Sequence, residues 1–199
     1  MSAPDSPHLP ADPATLAFLA RRQSQAAKLF TDPTPGRAEL ERILAIALRT
    51  PDHGKLEPWR LIVLARPDFA LLADLAQARA DEIGADPETA EKGRGQFERA
   101  RLAVAVIFSP KASTKTPEAE QFLSAGALCM NLLTAATAAG WGANWLSGWP
   151  SHDEIFRARA FGCTPAERVA GIVHIATPGN ALPDRPRPDP ARVVQWGLR

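Results

Sequence analysis

The 199-residue sequence contains no tyrosine, so a tyrosine hydroxyl cannot serve as a catalytic acid. Its two cysteines, Cys129 and Cys163, form no CxxC pair, which argues against a zinc site or a disulfide framework and fits a reducing compartment. The four histidines are scattered without HExxH spacing, and no GxSxG segment occurs. These absences argue against a metal centre and against a Ser-His-Asp hydrolase.

A strong net charge is also missing. The formal net charge of +1 gives no electrostatic reason to expect a nucleic-acid or membrane partner. The N-terminus lacks the basic and apolar regions of a signal peptide, so we expect a cytoplasmic protein. We predict a flexible N-terminal arm over residues 1–13 and a single domain over residues 14–199, which ends in a proline-rich tail.

Formally charged residues are absent from position 121 to position 152. A transmembrane helix is one interpretation, but Ser124, Asn131 and Gly140 interrupt the pattern, and the apolar runs fall short of the roughly 20 residues that a span requires. A helix that is apolar on all sides is otherwise buried. We therefore predict a buried helix that is covered on one side by a second subunit. A helix buried wholly within its own chain is the alternative.

The segment RTPDHGKLEPWR, residues 49–60, concentrates ionisable and hydrogen-bonding groups. An amphipathic helix pattern precedes it, and the apolar run WRLIVL at residues 59–64 predicts a buried strand after it. Pro51 and Pro58 prevent a continuous helix, while Gly54 permits unusual backbone angles. A polar loop between a helix and a strand is either a ligand site or an ordinary connection.

Two further charged segments each allow two interpretations. Asp12 and Pro13 predict the start of a helix that runs into Arg21 and Arg22. This arginine pair is either solvated or a phosphate clamp, since guanidinium groups bind phosphate through two parallel hydrogen bonds. Residues 86–101 are strongly charged and weakly periodic, which predicts an exposed, mobile segment that could act as a lid.

The remaining pattern alternates helices with strands, which predicts parallel βαβ units. Residues 102–108 and 169–175 are predicted strands, and His174 is interpreted as a core histidine. The tail at residues 178–190 is rich in proline and arginine and is predicted to cross the surface without regular structure. The apolar residues expected to anchor its end are Val193, Val194 and Trp196.

Four segments occur together in a characteristic order. They are RRQSQAAKL at residues 21–29, the loop at residues 49–60, AAGWG at residues 138–142 and NWLSG at residues 144–148. This combination resembles the FMN-dependent nitroreductase family, in its small single-domain subgroup. The resemblance implies an α+β fold of three layers, with a central mixed or antiparallel sheet between helices. It also implies an intertwined homodimer with two FMN sites at the interface.

The resemblance further implies which residues hold the cofactors. The residues that resemble the FMN phosphate clamp are Arg21, Arg22 and Gln23. The flavin-contacting residues of the central loop are Arg49, His53 and Lys55. The segment that resembles the one meeting FMN from the other subunit comprises Trp145, Leu146 and Ser147. A stretch associated with the nicotinamide nucleotide, residues 135–140, ends at Gly140.

The implied activity is a ping-pong reaction. NAD(P)H delivers hydride to flavin N5 and leaves, and a nitroaromatic, quinone or similar acceptor then takes the reducing equivalents. Neither a catalytic side chain nor a metal is needed. The chain departs from the common family pattern at Gln23, Lys55 and Glu57, so redox potential and substrate range are not implied. Alternatives are a non-catalytic FMN-binding or flavin-delivery protein, a different reaction on the same scaffold, and an interaction module.

Overall fold

A four-stranded sheet forms the centre of the fold; the computed structural model describes residues 10–180 and 183–198. The strands are β1 Trp59–Leu64, β2 Ala103–Phe108, β3 Gly142–Leu146 and β4 Arg168–Ala176. They pair antiparallel in the order β1-β2-β4-β3. The antiparallel sheet implied by the resemblance is therefore confirmed, and the parallel βαβ units predicted from alternation are wrong. Two helices, rather than one, separate β1 from β2, so the chain returns in the reverse direction.

Helices cover both faces of this sheet. The helices are α1 Pro13–Arg21, α2 Arg37–Ala47, α3 Arg66–Glu82, α4 Pro87–Glu98, α5 Glu118–Ala138, α6 Trp149–His152, α7 Glu154–Phe161 and α8 Pro190–Val193. A short 3-10 helix spans Ala27–Leu29. Along β2, Val104 and Val106 pack with α2 and α5, while Ala105 and Ile107 pack with α3, α4 and α7. The three-layer α+β architecture is confirmed.

The uncharged stretch forms most of α5. Its inner face is fully buried at Leu128, Cys129 and Leu132, where it packs on α2 and the sheet. Burial raises the pKa of the Cys129 thiol to about 12, so this cysteine is an inert core residue. Within the described part of the chain, α5 is the one helix long and apolar enough to cross a membrane, and this packing identifies it as a core helix. Its outer face exposes 72% of Leu123.

The charged segment at residues 86–101 is mostly helical and has a buried face, so its prediction as a wholly exposed segment is wrong, while its mobility and its role as a lid stay predictions. Asp86 caps α4 by accepting a hydrogen bond from the Thr89 amide at 3.0 Å. Phe97 is fully buried, and Gly93 packs directly against the Trp149 indole. The charged residues of α4 are exposed or half-buried, and they pair with one another along the helix.

The predictions for the two ends of the chain have different outcomes. Helix α1 begins at Pro13, and Asp12 caps it by accepting from the Thr15 amide at 3.1 Å, as predicted. Most of the predicted arm, residues 1–9, lies outside the described residues. The proline-rich tail crosses to a single helical turn, α8, but the apolar residues after it do not anchor it to this chain. Trp196 is 92% exposed.

Candidate functional site

The predicted arginine pair stands at the end of α1. Arg21 is the last helical residue, and its guanidinium lies 5.8 Å from the ring centre of Phe18. Arg22 is the C-cap and is half-buried, and its Nη1 is buried without a hydrogen-bond partner among the described residues. Gln23 follows and is partly buried. A buried guanidinium nitrogen that lacks an acceptor costs free energy, so this position favours an anionic ligand.

The chain then runs along the edge of the sheet beside β3. The backbone N–H of Gln25 donates to the Ala143 carbonyl at 3.2 Å, and the side-chain amide of Asn144 donates to the backbone carbonyl of Gln25. The arginine pair is therefore close in sequence to a segment that is tied to β3 of the same chain. We expected residues 145–147 to reach the flavin from another subunit. The structure ties β3, which carries Trp145 and Leu146, to the segment that follows the arginine pair in the same chain, and their contact with the flavin stays a prediction.

A cavity of about 300 Å³ opens between residues 26–28, β3 and α4. Its lining combines small apolar groups, uncharged polar groups and exposed cations. The lining residues are Ala26, Ala27, Lys28, Lys92, Gly95, Gln96, Arg99, Asn144, Leu146 and His174. None of them is acidic, so the cavity suits an electron-rich ligand. Trp145 points to the other face of the strand, where its indole donates to the Ala170 carbonyl at 3.2 Å.

The polar groups of this cavity are incompletely satisfied. Gln96 Nε2 and His174 Nε2 are buried without a partner among the described residues, as is the neighbouring Gln25 Oε1. Burial lowers the pKa of His174 to about 4, so its imidazole is neutral at physiological pH. Sequence reasoning missed Gln25 and Gln96, and it assigned His174 to the core alone. The available signal was one histidine within an otherwise apolar strand.

The polar backbone groups of the central loop, unlike the side chains of the β3 cavity, have hydrogen-bond partners. These partners lie in α5 and in the segment that precedes α5. Ser124 Oγ donates to the Pro51 carbonyl at 2.5 Å, and Thr116 Oγ1 donates to the His53 carbonyl at 3.2 Å. The His53 ring lies 2.8 Å from the Glu120 carboxylate. These contacts fix the loop to the rest of the chain and leave its charged tips outside.

The tip of this loop has an unusual backbone. Gly54, Lys55 and Glu57 all have positive φ angles, of 82°, 52° and 49°. Only glycine adopts this region without strain, so two of these residues store strain. Asp52 offsets it by accepting a hydrogen bond from the Glu57 amide at 2.8 Å. Arg49 and Lys55 are exposed, and neither side chain forms an ion pair with the residues that the structure describes.

The structure thus separates the predicted flavin residues into two groups. The arginine pair and residues 145–147 lie at the β3 edge of the sheet. The loop residues Arg49, His53 and Lys55 precede β1, the opposite edge. Three strand spacings, about 14 Å, separate the edges within one chain. Gly140 lies with neither group: it is exposed at the far end of β3, with a φ of 91°.

Residues 135–140 border a different cavity. It has a volume of about 340 Å³ and lies between α2 and the end of α5. Arg42 and Glu39 line it together with Ala135 and Ala138. The predicted nicotinamide stretch is therefore not part of the cavity at β3 in a single chain.

Comparison with known proteins identifies the family. The family model described as the nitroreductase family matches residues 19–177. This chain belongs to the nitroreductase family. The match covers the arginine pair, the central loop and β3, so all ten predicted site residues lie inside it.

Two curated relatives of this nitroreductase-family chain are similar in sequence. The "Putative NAD(P)H nitroreductase YdjA" of Escherichia coli strain K12 is 31% identical over 163 residues, which is 82% of this chain and 87% of the relative. The "Putative NAD(P)H nitroreductase" of Haemophilus influenzae is 36% identical over 163 residues, covering 81% and 87% of the two chains.

Solved structures confirm the nitroreductase fold. A nitroreductase-like family protein from Bacillus cereus has a TM-score of 0.76 at 20% identity, covering 95% of this chain and 98% of its own. A "putative nitroreductase in complex with FMN" from Desulfovibrio desulfuricans has a TM-score of 0.71 at 19% identity, covering 96% and 100%. These likenesses concern the fold, and the second protein binds FMN within it.

Proposed function

We propose that this protein is an FMN-dependent oxidoreductase that uses NAD(P)H to reduce nitroaromatic, quinone or similar acceptors. The observation that carries the proposal is the β3 cavity with its unpartnered buried polar groups. Residues 26–28, which line it, follow closely in sequence after Arg22, whose Nη1 is buried without a hydrogen-bond partner among the described residues. The nitroreductase family and the names of the curated relatives support NAD(P)H as the co-substrate. The FMN complex of a structural neighbour supports the cofactor.

The described residues fit FMN. Arg22, with Arg21 and Gln23 beside it, would bind the phosphate, because a guanidinium matches a phosphate in charge and geometry. The apolar wall at Ala27 and Leu146 would exclude water from one side of the ring system. Bound FMN would supply electron transfer between NAD(P)H and the acceptor. The side chains bind and orient the cofactor, and we assign no catalytic side chain and no metal.

A second copy of the chain would complete this site. The loop residues Arg49, His53 and Lys55 precede β1, and the arginine pair precedes the segment bonded to β3, the opposite edge strand; on this placement we propose that the loop reaches the cofactor from a partner. The positive charge of Arg49 and Lys55 would stabilise negative charge that accumulates on the cofactor during reduction.

Uncovered apolar surface supports this homodimer. Helix α1 has no buried residue, and it exposes Leu16 and Leu19. Leu123 and Met130 are exposed on α5. Large exposed apolar side chains of this kind are typical of surfaces that associate.

The proposal also covers the nicotinamide stretch, the cellular location and the partners. The nicotinamide role of residues 135–140, including Gly140, stays a prediction, because these residues are remote from the β3 cavity of the same chain. A cytoplasmic location is proposed from the composition and from the similarity to the curated relatives. Partners other than a small-molecule acceptor and a second copy of the chain are not proposed.

The absorbance spectrum of the purified protein tests this function. We expect a bound flavin that is released by heat and migrates as FMN. We also expect the visible absorbance of the oxidised flavin to bleach with NADH or NADPH under anaerobic conditions. Reoxidation by a quinone or nitroaromatic would complete the cycle. A protein that holds FMN but is not reduced by either nucleotide would be a flavin-binding or delivery protein instead. A colourless protein that ignores added FMN would contradict both functions.

A further inference from the structure

The inner wall of the β3 cavity contains a histidine with an unsatisfied nitrogen. His174 is only 2% exposed, and its Nε2 has no hydrogen-bond partner among the described residues. It stands directly opposite Asn144 in the pairing of β4 with β3. Its ring is stacked against Phe69, with 6.5 Å between ring centres. The imidazole is therefore held in place by packing, while its Nε2 forms no hydrogen bond with the described residues.

A second unsatisfied group comes from α4. Gln96 Nε2 is buried without a partner in the described chain and lines the same cavity. Its other amide atom, Oε1, is packed so closely that a Cβ at Gly148 would lie 2.5 Å from it. Two elements that are far apart in sequence thus present unpartnered polar atoms to one space. Such atoms cost free energy unless a ligand or water satisfies them.

The charge of these groups decides what they bind. His174 is neutral because burial lowers its pKa, and the glutamine amide carries no charge. Three cations line the cavity, and all are exposed: Lys92 and Arg99 pair with Glu88 and Glu91 of α4, and Lys28 belongs to the segment beside β3. The interior of the cavity therefore suits an uncharged polar group, whereas a phosphate suits the unpartnered guanidinium of Arg22.

We propose that His174, together with Gln96 from α4, binds the uncharged part of the flavin and positions it against β3. The shared chemistry is hydrogen bonding to the ribityl hydroxyls or to the polar edge of the isoalloxazine ring. This inference rests on the proposed FMN cofactor, and it divides the recognition of the flavin between Arg22 for the phosphate and His174 with Gln96 for the uncharged part.

Flavin fluorescence titration of the flavin-free full chain tests this division with FMN, riboflavin and lumiflavin. Riboflavin lacks the phosphate, and lumiflavin lacks the ribityl chain as well. We expect His174→Leu and Gln96→Leu each to weaken FMN and riboflavin by the same factor, roughly three- to tenfold, the range of one neutral hydrogen bond. Arg22→Glu should weaken FMN and leave riboflavin unchanged. His174→Gln should recover part of the loss, because its amide can replace the imidazole contact.

The matched control is His152→Gln, which changes an exposed histidine outside the cavity. Circular dichroism checks each fold, and Gln96→Leu alone carries the test if His174→Leu does not fold. Unchanged riboflavin affinity in both leucine variants would overturn the inference, as would a loss confined to FMN. An equal loss with lumiflavin places the contact on the ring, and an unchanged lumiflavin affinity places it on the ribityl chain. A wild-type chain that binds neither FMN nor riboflavin would overturn the proposed function and this inference with it.

Discussion

The two edges of the sheet treat their polar groups in opposite ways. At the β3 edge, Arg22, Gln96 and His174 each keep a buried nitrogen without a partner in the described chain. At the β1 edge, the central loop is fixed by hydrogen bonds from Thr116 and Ser124. One chain therefore has a cavity with unsatisfied polar groups at one edge of the sheet. At the other edge it has a loop whose backbone is hydrogen-bonded to the rest of the chain and whose cations are exposed. The β3 edge offers unpartnered polar groups, and the β1 edge offers exposed cations.

The largest expected difference is in response to acid. His174 has a pKa of about 4 in the folded chain and about 6.5 when unfolded, so between these values the unfolded chain binds more protons. Stability should therefore fall by about 3 kcal/mol as the pH falls from about 6.5 to about 4. Urea unfolding of the flavin-free protein across this range measures it.

The control is His53→Gln, which changes the exposed histidine of the other edge and should keep this acid sensitivity, whereas His174→Gln should lose it. Glu167 titrates in a lower window, because its hydrogen bond with Arg60 lowers its pKa to about 2. Equal acid sensitivity in both glutamine variants would contradict the assignment of His174 as a buried, neutral imidazole.

The next effect concerns the arginine proposed to bind the phosphate. Replacement of Arg22 by Glu removes a charge-assisted hydrogen bond worth roughly 1.5–3 kcal/mol, and it adds repulsion against the phosphate. FMN affinity should fall more than tenfold, since ~1.4 kcal/mol corresponds to a factor of ten. Fluorescence titration measures the affinity.

Arg37→Glu is the matched control, because Arg37 is an exposed arginine at the start of α2 that pairs only with Glu41 in the described chain. It should bind FMN as the wild type does. An unchanged affinity in Arg22→Glu, with the fold intact by circular dichroism, would mean that the arginine pair is merely solvated.

The smallest effect concerns the rigid edge. Ser124→Ala removes the hydrogen bond to the Pro51 carbonyl, which should lower the free energy of unfolding by about 1 kcal/mol. The loss is modest because Thr116 still holds the loop through His53. Urea unfolding at neutral pH gives the value. A loss above roughly 3 kcal/mol would indicate that the loop depends on this one contact rather than on several.

The sequence predicted the parts of the fold that depend on local pattern. The apolar run WRLIVL forms β1, and Asp12 with Pro13 begins α1. The sequence pattern did not predict the packed helix α4. Its many charged residues indicated an exposed segment, although small residues such as Gly93 let the helix pack closely. The antiparallel direction of the strands came from the family resemblance alone, because the alternation of helices and strands does not report how many helices fill a connection.

The candidate site was predicted only in part, for a related reason. The arginine pair and the central loop are continuous segments, so a motif can carry them. Gln25, Gln96 and His174 come together only when α4 and β4 pack beside residues 26–28. No spacing in the chain indicates that meeting. The separation of the loop from the arginine pair likewise follows from strand order alone.

The central claim is that one chain supplies the arginine end of each flavin site and a second chain supplies the loop. Co-expression of an Arg22→Glu chain with an Arg49→Glu/Lys55→Glu chain tests it most directly. Each variant alone should bind FMN weakly. In a symmetric dimer formed by random pairing, about a quarter of all sites should combine an intact arginine end with an intact loop. Fluorescence titration should recover wild-type affinity in about that fraction; no recovery in confirmed mixed dimers would contradict the account.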